Sequence, residues 1–311
     1  MTKKSIGIVL SFVALVCIRV QAQRVTWTAD NGNGTFTNPL FYEEFSDPDM
    51  IRVGEYFYLT GTTMHSMPGL PILRSRDLVN WEFVAYAMDK LDLGPAFRLE
   101  EGKNVYGRGI WAPSFRYHNG TYYIFSNVNG QTTQKFTATN PAGPWTRTPM
   151  KCSLHDLSVL FDDDGKVYVV WGYEGIRLAQ LNADLTDIVA GTDRVIIPKG
   201  SGIGEGAHFY KINGKYLITS AWYMGTMRMP AARADRPELL FLVARFGDSL
   251  LLTHLIRYIR KYFPCWCQFN STYQHEKPIP PEHPPRRYRL RFQYLPIWSR
   301  DRPRLFPENQ Q

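Results

Sequence analysis

Four stretches of the chain follow one plan: a short strand, a tight turn, and a second strand rich in aromatic and β-branched residues. The first runs from Asp47-Pro48-Asp49 to Leu59 and the second from Ala112-Pro113-Ser114 to Ile124. The third runs from Asp156 through Asp162-Asp163-Asp164-Gly165 to Val170, and the fourth from Glu205-Gly206 to Ile218. Asn119-Gly120, Asp164-Gly165 and Asn213-Gly214 are hairpin signals, because Asn, Asp and Gly tolerate the positive φ that tight two-residue turns require. The starts lie 65, 44 and 49 residues apart, the scale of a four-stranded propeller blade. A β-sandwich would not predict a recurring strand start that carries a carboxylate in three of four copies. The expected fold is therefore all-β, of the β-propeller type, with four recognisable blades. Ser75–Trp81 and Ala138–Trp145 are expected to supply the outer strands of the first two blades, and Ala234–Glu238 begins the same way.

Beyond Glu238 the pattern stops. Residues 239–311 hold 1 of the 24 glycines and 9 of the 21 prolines, with no hairpin dipeptide. They also carry 12 Lys/Arg against 5 Asp/Glu, which leaves 24 against 23 in the other 238 residues. The net charge of +8 thus belongs to the tail, and the blades are nearly neutral, as suits a neutral substrate rather than a nucleic acid. The expected organisation is a propeller over 23–238 followed by an irregular, basic, Arg/Pro-rich tail over 239–311. Leu250–Tyr262 could form a basic helix at a membrane surface, but a poorly ordered tail is the plainer expectation. A change of reading frame near Glu238 would explain why the tail does not continue the blade sequence.

At the other end, Lys3 and Lys4 precede an apolar run, Ile6–Val16, and Val20-Gln21-Ala22 is a small-x-small cleavage site. Residues 1–22 therefore read as a secretory signal peptide, too short and too interrupted for a membrane anchor. The expected location is exported, periplasmic or extracellular, with no membrane association after cleavage. Cys152 stands alone and Cys265 and Cys267 sit together, which is neither a disulfide framework nor a zinc site.

Inner strands of a propeller converge on its axis, so strand starts can face one central pocket. Asp47, Asp156 and Glu205 occupy those starts in repeats one, three and four, and Trp111 precedes the start in repeat two. Carboxylates at strand ends often do no more than accept backbone hydrogen bonds. Three at repeated positions instead suggest glycoside hydrolysis, in which one carboxylic acid protonates the leaving oxygen and one carboxylate acts on the opposite face of the sugar. An indole beside them can stack on a sugar ring. Asp162–Gly165 is read as a hairpin turn rather than a calcium loop, because the later glutamate is missing. His118 and His208 are read as strand residues near the turns or the pocket rim.

The chain resembles glycoside hydrolase family 43, in the branch of β-xylosidases and α-L-arabinofuranosidases. Four matches carry the resemblance: Asp47-Pro48-Asp49; Pro68-Gly69-Leu70-Pro71-Ile72 with Asp77-Leu78-Val79-Asn80-Trp81; Gly109-Ile110-Trp111-Ala112-Pro113-Ser114; and Glu205-Gly206 followed by Asn213-Gly214. They span roughly residues 38–238 and are specific in combination. The resemblance implies a five-bladed propeller and an inverting mechanism, whose two carboxylates stand roughly 6.5–9.5 Å apart. It implies that Asp47 is the general base, Glu205 the general acid, and Asp156 the residue that holds the acid and raises its pKa. Trp111 would line the sugar subsite, with the Pro68–Ile72 loop and His65 at its rim. The substrate would be a plant-type oligosaccharide or polysaccharide containing xylose or arabinose. A sucrose- or fructan-cleaving propeller would have no place for the Pro-Gly-Leu-Pro-Ile loop. Two departures stand out: Leu157 follows Asp156 where the family usually has proline, and no fifth blade is recognisable after Glu238. The second leaves open a non-catalytic, degenerate sugar-binding product. No cofactor is expected; the central calcium found in some members would lack its usual fifth-blade contact.

Overall fold

The computed structural model describes residues 28–43, 45–64, 67–202, 204–222 and 229–239. The expected signal peptide, His65 and the basic tail beyond residue 239 lie outside the described residues. The chain divides at Glu43/Glu44 into two units. In the first, residues 28–43 form a small turn closed by Thr37 N–H donating to the Ala29 carbonyl at 2.8 Å and by Asn31 Nδ2 donating to Thr35 Oγ1 at 2.9 Å.

Among its described residues the second unit is all-β and holds four antiparallel sheets, each a blade whose strands follow in sequence order. Blade one is β1 (Ser46–Val53), β2 (Tyr56–Thr62), β3 (Gly69–Ser75) and β4 (Glu82–Met88). Blade two is β5 (Ile110–His118), β6 (Thr121–Val128), β7 (Gln134–Ala138) and β8 (Thr146–Pro149). Blade three is β9 (Ser158–Phe161), β10 (Val167–Trp171), β11 (Ile176–Leu181) and β12 (Arg194–Ile197). Blade four shows β13 (Glu205–Ile212), β14 (Lys215–Ala221) and β15 (Ala231–Ala234) among the described residues. The four-blade propeller arrangement expected from the repeats is present. The predicted Asn119-Gly120 and Asn213-Gly214 turns close the inner hairpins, pairing His118 with Thr121 and Ile212 with Lys215.

The outer strands fall later than expected. Ser75–Trp81 is the end of β3 and the turn before β4, not the outer strand itself. Asp77 Oδ1 accepts the N–H groups of Val79 and Asn80 at 2.9 and 2.8 Å, so these amides are taken by a local carboxylate rather than a neighbouring strand. Ala138–Trp145 behaves alike: β7 ends at Ala138, and β8 starts only at Thr146. Gly69–Ile72 is likewise not a loop but the start of β3, with Leu70 and Ile72 fully buried.

Apolar side chains fill the spaces between neighbouring blades. Leu70, Ile72, Phe115, Ile124 and Phe136 pack blades one and two together. Phe125, Val159, Val169 and Leu181 join two and three, with Leu157 among them. Val170, Ile176, Phe209 and Ile218 join three and four. A ladder of side-chain hydrogen bonds runs across the inner strands. Asp49 Oδ2 of β1 accepts the Phe115 N–H of β5 at 2.8 Å. Ser114 Oγ of β5 accepts the Val159 N–H of β9 at 3.0 Å, and Ser158 Oγ of β9 accepts the Phe209 N–H of β13 at 3.0 Å. Blades one, two and three thus each supply the acceptor for the next, which fixes the relative height of the strand starts around the axis.

Candidate active site

The ladder gives a common ruler. Asp49, Ser114, Ser158 and His208 hold equivalent places, so Asp47 and Asp156 lie two residues before the ruler and Glu205 lies three before it. The sequence reading put Glu205 level with the two aspartates. In the structure Gly206 is level with them, while Glu205 is level with His155 and Trp111. The reason is conformational. Asp47 and Asp156 take left-handed φ values of 47° and 48°, and Gly206 takes 65°. Blades one and four are bulged here, between Ser46 and Asp49 and between Glu205 and His208. A bulge re-aims side chains at a strand end, and periodicity alone does not show which residue absorbs it.

Glu205 is reached through a tight approach. A Cβ on Gly204 would stand 2.1 Å from the Ala221 carbonyl oxygen, so only glycine lets β13 begin here. The Gly204 carbonyl accepts the Glu174 N–H at 3.1 Å, which ties the loop after β10 to the acid's strand. Asp156 Oδ2 accepts the Gly206 N–H at 3.0 Å, holding the peptide that follows Glu205. Ser220 Oγ donates to the Glu205 carbonyl at 2.8 Å. The Glu205 backbone is thus fixed from both sides.

His155 is the site residue that the sequence reading passed over. Its Nε2 lies 3.0 Å from Glu205 Oε2 and 3.7 Å from Asp156 Oδ2. The Trp111 ring stands edge-on to it at 5.6 Å and Tyr173 at 6.3 Å. Trp111 Nε1 donates to the Gly107 carbonyl at 3.2 Å, which holds the indole, and the Ser126 hydroxyl donates to the Trp111 carbonyl at 2.6 Å, which holds its backbone. The only signal for His155 in the sequence is its place beside Asp156.

The electrostatics separate these groups from ordinary surface carboxylates. Burial is the main cause that raises Asp156, to about 6; His155 opposes it, while the charges of Glu205 and Asp47 add to it. Asp47 is exposed, yet desolvation by the protein around it pushes its carboxyl up. The charge of Glu205 adds to that rise, and His208 and His155 partly offset it. Asp47 and Asp156 thus both feel the charge of Glu205, and Asp156 also feels that of Asp47. Crowded carboxylates raise one another's proton affinity, and such a separation of proton affinities lets one residue type do both acid and base work. His155, Asp156 and Glu205 also bring three ligand-type atoms within 4.8 Å of one another, but the Nε2–Oε2 contact is itself a hydrogen bond and accounts for the grouping.

The other candidates lie elsewhere. His118 stacks on Phe161 at 4.4 Å between blades two and three. His208 Nδ1 sits 3.3 Å from Asp49 Oδ1. Asp162 is more than a turn residue: its buried carboxylate accepts from Lys211 Nζ and from the Tyr216 hydroxyl of blade four.

The family model for glycosyl hydrolases family 43 matches residues 36–236, and the chain belongs to that family. A β-xylosidase from Formosa agariphila is 29% identical over 250 residues, covering 74% of this chain and 41% of that protein. A non-reducing end α-L-arabinofuranosidase from Bacteroides ovatus is 35% identical over 194 residues, covering 60% and 36%. Among solved structures, a bifunctional GH43-CE protein of Bacteroides eggerthii aligns with a TM-score of 0.61 at 41% identity, covering 65% of this chain and 28% of that one. The chain thus spans about two-fifths of the curated relatives it matches.

Proposed function

We propose that this chain is a glycoside hydrolase that removes xylose or arabinose units from plant-type oligosaccharides or polysaccharides by a single, inverting displacement. Glu205 protonates the departing glycosidic oxygen. Asp47, which is open to water, takes the proton of the attacking water molecule. Asp156 holds the peptide beside Glu205 and keeps negative charge near the acid. Trp111 forms the apolar wall against which the sugar ring rests. The supporting observation is the gathering of three carboxylates on strand starts, two of them raised. The relatives named above act on glycosides of these two sugars, as their names state. The substrate is uncharged, and the near-neutral blades give no field for nucleic acid. The Lys3–Ala22 segment exports the protein, which amino-terminal sequencing of the secreted product tests: a mature start at Gln23 supports export and an intact Met1 overturns it.

The activity test is turnover of aryl β-xyloside and aryl α-arabinofuranoside by the full chain, with the anomeric form of the first product read by proton NMR. The expected product has the configuration opposite to that of the substrate. Retention of configuration, or equal turnover in Asp47→Asn and Glu205→Gln, overturns the assignment.

A further inference from the structure

We infer that His155 is a positioning residue for proton delivery: through Nε2–H it engages one oxygen of Glu205 and leaves the other to carry the proton to the glycosidic oxygen. This rests on the role of Glu205 proposed above. A carboxyl group has two oxygens, and a general acid works only when the protonated one faces the leaving group. The Glu205 side chain is about one-third exposed and needs a partner to choose between them. His155 Nε2 supplies that partner at 3.0 Å from Oε2. A neutral imidazole has one N–H and one acceptor nitrogen. The proximity of Nε2 to two carboxylates, Glu205 at 3.0 Å and Asp156 at 3.7 Å, selects the tautomer with the hydrogen on Nε2.

The ring is held for this task. Trp111 and Tyr173 both stand at 76° to it, and the His155 carbonyl accepts the Gly172 N–H at 3.0 Å. After proton transfer the same N–H faces a full carboxylate, and a hydrogen bond to a charged acceptor is roughly twice as strong as a neutral one. The contact therefore favours the state that follows proton transfer.

Two readings test this. The first does not need turnover: nitrogen NMR of the full chain labelled with 15N-histidine. A protonated Nε2 for His155 that shifts in Glu205→Gln is expected; an Nδ1–H tautomer indifferent to Glu205→Gln overturns the inference. The second separates acid delivery from simple packing. His155→Ala should lower kcat on alkyl glycosides, whose leaving group must be protonated, by about 10²-fold, within the usual range for general acid catalysis. It should leave dinitrophenyl glycosides, which depart without a proton, within about 3-fold, and change KM little. His155→Gln, whose amide nitrogen reaches the place of Nε2, should recover part of the loss. An equal fall on both substrate types, with no recovery in His155→Gln, overturns the inference. Failure of the unaltered chain to cleave any glycoside would count against the proposed function, and the imidazole signal would still decide the contact.

Discussion

Asp47 and Asp49 stand two residues apart on one strand, and the protein treats them in opposite ways. Asp47 faces the pocket among other carboxylates, and its proton affinity is raised. Burial alone would raise Asp49 as well, but Arg116, His208 and the Phe115 N–H outweigh it and hold it well below the usual carboxylate range. Asp156 is likewise raised, while the buried Asp162 between blades three and four meets Lys211 and the Tyr216 hydroxyl. Burial raises the proton affinity at both Asp49 and Asp156, and at Asp49 the cationic partners reverse it. The acids paired with cations fasten blade to blade.

Asp49 shows how much the fastening set carries. Arg116 Nη1 donates to Asp49 Oδ2 at 2.6 Å, its Nη2 reaches Ser158 Oγ at 2.7 Å, and its Nε donates to the Val159 carbonyl. His208 approaches Asp49 from blade four. One carboxylate and one guanidinium thus connect the inner strands of four blades. The pocket is assembled from the starts of those same strands, so its geometry depends on this buried knot.

The contrast is broken most strongly by neutralising the pocket set. Glu205→Gln and Asp47→Asn should each lower turnover by about 10²–10⁴-fold, the usual contribution of a general acid or base, with little loss in thermal stability. A collapse of the melting transition in either variant would place that acid in the fastening set instead. The opposite signature is expected for Asp49→Ala. It strands Arg116, whose side chain is only 12% exposed, and breaking a buried pair from one side costs about 3–5 kcal/mol. Urea unfolding measures it. A loss below about 1 kcal/mol would show that water replaces Asp49 beside Arg116.

Which acids belong to which set was only partly legible in the sequence. The repeats and their Asn-Gly turns announce the blades, because hairpin chemistry is local. Asp47 and Asp156 stand out through repetition. Glu205 was legible as a strand-start acid, but its one-residue offset was not, since Gly206 absorbs the left-handed turn without leaving a periodic trace. The Asp49–Arg116 knot joins residues 67 apart, and nothing near either residue points to the other. His155 was hidden for the same reason: its meaning comes from Glu205, 50 residues away. The outer strands were placed early because Asp77-Leu78-Val79-Asn80-Trp81 looks like a strand start. Its aspartate instead satisfies the nearby amides and delays pairing.

A pH series sharpens the comparison further. For Asp156, raised from 3.8 to about 6, the folded state binds more protons than the unfolded one between those values. Its contribution to stability is therefore most favourable below about pH 4, falls as pH rises through that window, and stays low above it. Asp49 has the reverse sign. Its contribution is present above its unfolded value of 3.8 and is lost as pH falls toward its depressed folded value. Asp156→Asn should then match the parent near pH 4 and exceed it near pH 7 by on the order of 2 kcal/mol. Thermal melts across that range read the difference. A gain that is the same at both pH values would remove titration as its cause.

The smallest expected effect isolates backbone geometry from charge. Blades one and three place aspartate at the left-handed position that blade four gives to Gly206. Aspartate tolerates this region better than most residues, because its short polar side chain can hydrogen-bond locally. Among the described residues, an alanine Cβ at Gly206 would find only the Ala221 Cβ, at 4.0 Å, and the Gly206 N–H would still reach Asp156. Gly206→Ala therefore adds no collision and removes no hydrogen bond, which leaves the conformational term of about 1 kcal/mol. Unfolding by urea should show that loss, with Glu205-dependent turnover falling no more than the backbone shift requires. A loss of several kcal/mol would mean that the strand start cannot hold its bulge without glycine. The level offset between Glu205 and the two aspartates would then be a demand of the backbone alone.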